Sequence, residues 1–218
     1  FKKNILFISG PTASGKSQLA LKIAKIINGE IINADSMQVY KDLKIITSRP
    51  TLNDIKIINH HLYGHKLGSY RYNVYEWCQD CIRKINEVIN VKKIPIIVGG
   101  TGLYFSCLIN GINLIPQIPE YIKKESGEKL IKYGLEKFFY YVKELDPKSS
   151  LNVNENDSQR LRRIWEIIIY TSIPLCEWQE KKNYEFLKNF NYKLILILPN
   201  KNIVYNNSNN RFIKMIEQ

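Results

Sequence analysis

Four short stretches of the chain are apolar enough to lie buried on both faces of a sheet, and each ends at a turn residue or a polar group. Ile5 to Ser9 runs into Gly10-Pro11. "EIINAD" ends on Asp35. "KIPIIVGG" stops at Gly99-Gly100, and "YKLILILP" stops at Pro199. Runs of this length read as parallel strands covered on both sides. Between the first two, Leu19, Ala20, Ile23, Ala24 and Ile27 recur at helical spacing, so a helix is expected over Lys16 to Ile27, closed by Gly29. "RYNVYEWCQDCIRKINEVIN" reads as a second long helix, with Asn73 placed to cap it and Glu76 three residues on. Strands alternating with helices predict an α/β fold: a parallel sheet with helices on both faces.

From about Pro116 to Asn191 the pattern changes. "PEYIKKESGEKLIKYGLEKFFYYVKEL" and "NDSQRLRRIWEIIIYTSIP" are helical and charged, with no strand signal between them. The expected organisation is therefore a first part of the core over 1–115, an all-helical insertion over 116–191, and a return to the core over 192–218. "NSNNRFIKMIEQ" opens a last helix in that return.

Composition narrows the partners. The 218 residues carry 32 Lys and Arg against 20 Asp and Glu, a net charge of +12, which favours a polyanionic partner. A Lys-rich solvated surface is the plainer reading of the same number. Cys78 and Cys81 form a C-x-x-C inside a helical stretch without a second pair, so buried free thiols are expected rather than a zinc site. No apolar run approaches the roughly 18 residues of a membrane helix. A cytoplasmic protein with no membrane partner is expected.

The sharpest motif is Gly10-Pro11-Thr12-Ala13-Ser14-Gly15-Lys16-Ser17, a G-x-x-x-x-G-K-S loop with a strand before it and a helix after it. Its backbone N–H groups and the helix dipole suit phosphate oxygens. Lys16 neutralises charge, and Ser17 is placed to ligate Mg²⁺. The loop binds phosphate or pyrophosphate without saying whose, and makes the sheet P-loop NTPase-like. Ligands of open parallel sheets sit at the carboxyl ends of the strands, which puts Asp35 and Thr101 beside the loop. Asp35 has two candidate jobs, metal ligand or general base, with a turn former as the plain alternative. Thr101 has a helix N-cap as its plain alternative.

"GPTASGKS", "NADSMQVYKDLKIITSRPT", "HHLYGHKLGSYRYNVYEW", "IPIIVGGTGLYF" and "NDSQRLRRIWEI" together resemble the tRNA dimethylallyltransferases, in order and spacing, over nearly the whole chain. The resemblance implies a P-loop core with a helical insertion and transfer of a dimethylallyl group from dimethylallyl diphosphate to N6 of the adenosine 3′ of the tRNA anticodon, with Mg²⁺. It implies catalytic roles for Asp35, Thr101 and Lys16. It implies that the loop residues Gly10 to Ser17 hold the donor, and that Asp35, Ser36, Met37, Gln38, Thr101, Lys123, Gln159, Arg160, Leu161, Arg162 and Arg163 meet the tRNA anticodon stem-loop. A solvated charged face is the plain reading of the arginines. Arg49 falls where the family commonly has Lys or Arg. His60, His61 and His65 are expected to be structural, although "YGH" departs from the family pattern. Family members run on past the position matching Gln218, so the return to the core is cut short relative to them. A monomer is expected. Three other readings stay open: an adenylate isopentenyltransferase acting on free AMP, ADP or ATP, a P-loop small-molecule kinase, and a non-catalytic RNA-binding fragment.

Overall fold

The computed structural model describes residues 3–181 and 183–217. Five parallel strands form one sheet: β1 (Lys3–Ser9), β2 (Gly29–Asn33), β3 (His60–His61), β4 (Ile94–Gly99) and β5 (Phe190–Leu196), in the order β3-β2-β4-β1-β5. Helix α1 (Lys16–Ile27) follows β1, and the short α2 (Leu52–Ile57) precedes β3. Helices α3 (Val74–Asn90) and α4 (Gly102–Asn110) flank β4, and α9 (Lys201–Ile216) follows β5. Alternation along each strand sorts the core. Ile5, Phe7, Ile32 and Ile97 point toward Trp77, Cys81, Ile85 and Leu108 on one side. Ile8, Ile31, Ile96 and Val98 point toward Ala20 and Ala24 of α1 on the other. The fold is thus the P-loop-like parallel sheet with helices on both faces that the pattern predicts.

Local details correct the reading of the ends. Asn28, not Gly29, closes α1 in the left-handed conformation (φ 52°). Gly29 already belongs to β2, where a Cβ would lie 2.6 Å from Ile96 Cδ1. The two-residue β3 escaped the pattern because two histidines carry no apolar run. The last helix begins at Lys201, capped by the Asn200 side chain accepting from Asn202 N (3.1 Å). As expected, Asn73 caps α3, its side chain accepting from Glu76 N (3.0 Å).

The chain divides into two compact units, residues 1–111 with 185–218, and Ile112–Tyr184. The second unit contains α5 (Glu120–Leu145), α6 (Pro147–Ser150), α7 (Ser158–Thr171) and α8 (Leu175–Glu180). Its base is closed by the antiparallel bridge Ile112↔Tyr184, and its division points lie a few residues before the 116 and 191 expected from the pattern. Helix α5 breaks at Gly134, whose φ of 74° no other residue adopts as easily. Ile122, Phe138, Val142, Leu161, Ile164 and Trp165 make its core.

Candidate functional site

The loop after β1 takes the shape its glycines allow. Gly15 has φ 84° and opens α1 with no side-chain cap and no acid in the first turn. The first N–H groups of a 12-residue helix are therefore left for an external anion. A Cβ on Gly10 would lie 2.8 Å from Ser14 Oγ and from Ile197 O, so only glycine fits there. Among the described residues the buried Ser14 Oγ has no hydrogen-bond partner, a polar atom turned to the inside of the loop. Lys16 Nζ folds back to donate to Pro11 O (3.0 Å). Burial pulls its pKa below the ordinary lysine value, the charge of Asp35 raises it, and Arg211 lowers it further. An arriving polyanion would reverse that depression.

Two residues at this loop were not read from sequence. Asn207 Nδ2 donates to Ala13 O (3.1 Å), and Arg211 stands near enough to act on Lys16. They are i and i+4 on α9, so one helical face serves the loop. The sequence reads as helix from Asn207 onward, but nothing in its polar, Asn-rich pattern shows that this face meets the loop.

Asp35 stands two residues beyond β2, on a turn that it builds itself. Its Oδ1 accepts from Met37 N (2.9 Å) and Gln38 N (3.4 Å), so the plain turn-forming role is present. Among the described residues, no hydrogen bond to Oδ2 is made. The backbone of Asp35 is gripped by Asn33: Asn33 Oδ1 accepts from Asp35 N (2.9 Å), and Asn33 Nδ2 donates to Asp35 O (3.0 Å) and Leu62 O (3.1 Å). Asn33 is fully buried, and its carbonyl accepts from Trp77 Nε1 (2.9 Å). The side-chain amide thus ties the turn to β2 and to Leu62 after β3, and the backbone carbonyl of Asn33 ties it to α3.

Thr101 closes the other side. It sits at the N-cap position of α4 but makes no side-chain cap. Its Oγ1 instead accepts from Ser36 N (2.9 Å) and lies 3.3 Å from Ser36 Oγ. The approach depends on Gly99, where a Cβ would meet Ala34 O at 2.0 Å. Gly100 matters similarly, since its Cβ would lie 3.2 Å from Gly10 O and 3.7 Å from Lys16 Nζ. The ends of β1, β2 and β4 therefore converge, bringing Lys16, Asp35 and Thr101 to one crevice. Gln38 faces away from that role, with Nε2 donating to Thr47 O (2.7 Å), while Met37 is exposed. Tyr104, stacked on Trp77 at 4.3 Å, has its phenol pushed up to about 12 by burial, with Tyr40 and Asp35 adding, and stays protonated.

In the helical unit, "QRLRR" lies on α7, opened by Asp157, whose side chain accepts from Arg160 N (3.0 Å). Gln159, Arg160 and Arg163 are exposed, and Arg160 is tethered to Asp157 at 3.4 Å. Leu161 is fully buried beside Ile164 and Trp165, which removes its side chain from the RNA-facing set. Arg162 is turned inward as well. Its Nε donates to Ser126 Oγ (2.9 Å), its Nη2 donates to Lys123 O (2.7 Å), and Glu166 Oε1 lies 3.7 Å away. Helical periodicity separates the two sets, and Glu166 at i+4 from Arg162 was the available signal. Lys123 pairs with Glu120.

His60 and His61 serve the sheet edge, and His65 lies 3.7 Å from Asp80. His61 Nε2 meets the buried Glu30 carboxylate at 2.6 Å, and His60 Nδ1 donates to Ile58 O (2.7 Å). Cys78 and Cys81 are buried free thiols, while Cys107 and Cys176 are half-buried. Arg49 donates to Lys41 O (3.0 Å) and packs on the Gly64 backbone. Among the described residues, no helix is long and apolar enough to cross a membrane.

Residues 38–218 match the family model described as IPP transferase. A tRNA dimethylallyltransferase of Pelagibacter ubique is 49% identical over 185 residues, which are 85% of this chain and 59% of that protein. One of Ehrlichia chaffeensis is 39% identical over 214 residues, covering 98% of this chain and 69% of its own. Among solved structures, a eukaryotic dimethylallyltransferase acting on tRNA superposes with a TM-score of 0.80 at 28% identity, over 99% of this chain and 53% of that one. The tRNA isopentenylpyrophosphate transferase of Staphylococcus epidermidis gives 0.59 at 30% identity, over 99% and 70%. The chain thus spans little more than half the length of the first relative and of the eukaryotic structure.

Proposed function

The chain belongs to the IPP transferase family, and from that premise we propose that it carries the donor site and an RNA-binding unit of a tRNA dimethylallyltransferase. The observation that carries this reading is the convergence of an anion-ready loop with a carboxylate outside the loop, on the ends of different strands. Here the loop grips the diphosphate of dimethylallyl diphosphate, and Asp35 with Thr101 faces the acceptor, the adenosine 3′ of the anticodon.

In the reaction, the adenine N6 lone pair forms a bond to the allylic carbon, the C–O bond to diphosphate breaks, and diphosphate leaves with that electron pair. The N6 proton goes to Asp35, whose Oδ2 is the free acceptor. The exocyclic amine is a weak nucleophile because its lone pair is delocalised, so proton removal as the C–N bond forms is where a fixed base helps. Lys16 and the loop N–H groups stabilise the charge that grows on diphosphate. Asn33 holds the backbone of Asp35, and Thr101 holds the neighbouring Ser36 and faces the acceptor beside Asp35. Mg²⁺ fits the oxygen donors present: the Ser17 hydroxyl is exposed in the first turn of α1, where it would hold the ion beside the diphosphate. The ion would supply further neutralisation of the leaving group. In the helical unit, Arg160 and Arg163 meet RNA phosphates. We expect a monomer working on tRNA in the cytoplasm.

The test is incubation of the whole protein with labelled dimethylallyl diphosphate and either tRNA, or AMP, ADP and ATP without RNA. Label in tRNA alone is expected. Label in a free nucleotide would replace tRNA by a mononucleotide acceptor. Phosphate transfer from ATP without label movement would make the protein a kinase, and tight RNA binding without either would leave an RNA-binding fragment.

A further inference from the structure

The helical unit holds a cleft of about 470 Å³ bounded by α6, the turn after it, α7 and α8. That volume is in the roughly 300–1,000 Å³ range of small-ligand sites. Its apolar surface comes from Val153, Ile164 and Leu175, and its charge from Lys148, Arg160 and Arg163. Two amides, Asn152 and Gln179, complete the hydrogen-bonding groups, and no Asp or Glu lines it among the described residues.

The walls are braced from behind. Asp146, 1% exposed, accepts from Ser149 N (3.0 Å) through Oδ1 and from Leu175 N (3.1 Å) through Oδ2. Ser149 Oγ accepts from Cys176 N (2.9 Å). Both oxygens of the buried Asp146 carboxylate are thus engaged with backbone, and α6 and α8 are tied together. The cleft is formed before any ligand arrives, which lowers the entropic cost of binding.

An apolar floor, two amides and three cations are complementary to a flat heterocycle that carries an anionic phosphate. We infer that the cleft seats one unstacked nucleotide of the RNA substrate, other than the adenosine that is modified. Its base lies on the Val153, Ile164 and Leu175 floor, Gln179 and Asn152 hydrogen-bond its edge, and Lys148 with the two arginines holds the flanking phosphate. Sequence-specific RNA recognition works in this way, through loop bases splayed out of the stack. The inference rests on the proposed tRNA acceptor. It adds a second nucleotide, read by Asn152 and Gln179 with Lys148 joining Arg160 and Arg163 on the phosphate.

The test uses an anticodon stem-loop RNA in which each loop base in turn is replaced by an abasic nucleotide. One position besides the acceptor should weaken binding to the unaltered protein by about 10-fold, the scale of two hydrogen bonds to the base edge. In the Asn152→Ala, Gln179→Ala double variant, that same position should matter less than about 2-fold. Lys148→Ala should lower the salt slope of binding by about one. These side chains are exposed, so the melting temperature should not move. Cys176 lines the cleft and reports occupancy: RNA should protect it from alkylation by a maleimide. Equal abasic penalties in both proteins, or Cys176 alkylated as fast with RNA as without, overturns the inference. So does protection by free AMP as complete as by RNA at the same concentration, which makes this a mononucleotide site. Label transfer to tRNA with no cleft effect counts against the cleft alone. A cleft effect without label transfer counts against the proposed reaction alone.

Discussion

A single ammonium and a single buried amide control the crevice in different ways. In the proposed reaction, Lys16 neutralises the leaving diphosphate. Lys16→Ala should slow turnover by about 10²–10³-fold with the circular dichroism unchanged; near-normal prenyl transfer from a folded variant would remove Lys16 from the donor site. Asn33 acts through Asp35. Asn33→Ala removes the partner of Asp35 N, of the half-buried Asp35 O and of the buried Leu62 O and should destabilise the protein by about 1–3 kcal/mol in urea titration. In the fraction that stays folded, the chemical step should slow while the KM for the donor holds, because the loop is untouched. A change confined to stability would make Asn33 a core residue only. Lys16 and Asp35 were legible because the G-x-x-x-x-G-K-S spacing and a carboxylate at a strand end carry their chemistry in one dimension. Asn33 was not, since an Asn at a strand end has no signal until Leu62 and Trp77 are brought to it. Leu161 and Arg162 were misplaced for the converse reason: a motif names neighbours in sequence, while a helix distributes them around its axis.

Helix α7 turns that distribution into an experiment. Arg162→Ala removes the hydrogen bonds to Ser126 Oγ and Lys123 O and should cost about 1–3 kcal/mol of stability, with the salt slope of RNA binding unchanged. Arg160→Ala with Arg163→Ala should do the reverse, leaving the melting temperature in place and flattening the slope by about two. Reversed outcomes would return the exposed pair to a solvated face. The β2–β3 edge predicts a pH response. Burial would raise the Glu30 pKa, but Lys93, His61 and Asn59 outweigh it and hold the carboxyl below its usual value. Burial pulls His60 and His65 below theirs, against partial restoration by the Ile58 carbonyl and by Asp80. Groups with depressed folded pKa values stabilise the fold above their unfolded values and lose that contribution as pH falls. The urea midpoint should therefore be level above about pH 6.5, decline below it, and decline more steeply below about pH 4.3. A midpoint that rises between pH 7 and 5 would contradict this. Four of the five strands and the long α1 and α3 were legible from period and punctuation. The two-residue β3 and the six-residue α2 were not, because elements that short are made by pairing and by the Thr51–Asp54 capping box rather than by a hydrophobic period.

At the scale of the whole molecule, a net charge of +12 favours a polyanionic partner, and salt should steeply weaken the proposed attraction to RNA. The central claim is a division of labour: the loop of one strand end handles the donor's diphosphate, and the carboxylate of another handles the acceptor's proton. The most direct measurement is a single turnover of the whole protein carrying Asp35→Asn, at saturating tRNA and dimethylallyl diphosphate, across a range of Mg²⁺ concentrations. Asn keeps the size of Asp and its bond to Met37 N but takes no proton. The account predicts that both substrates still bind while the chemical step slows by about 10²–10⁴-fold at every Mg²⁺ concentration. Recovery of the unaltered rate in excess Mg²⁺ would contradict it and place Asp35 on the metal.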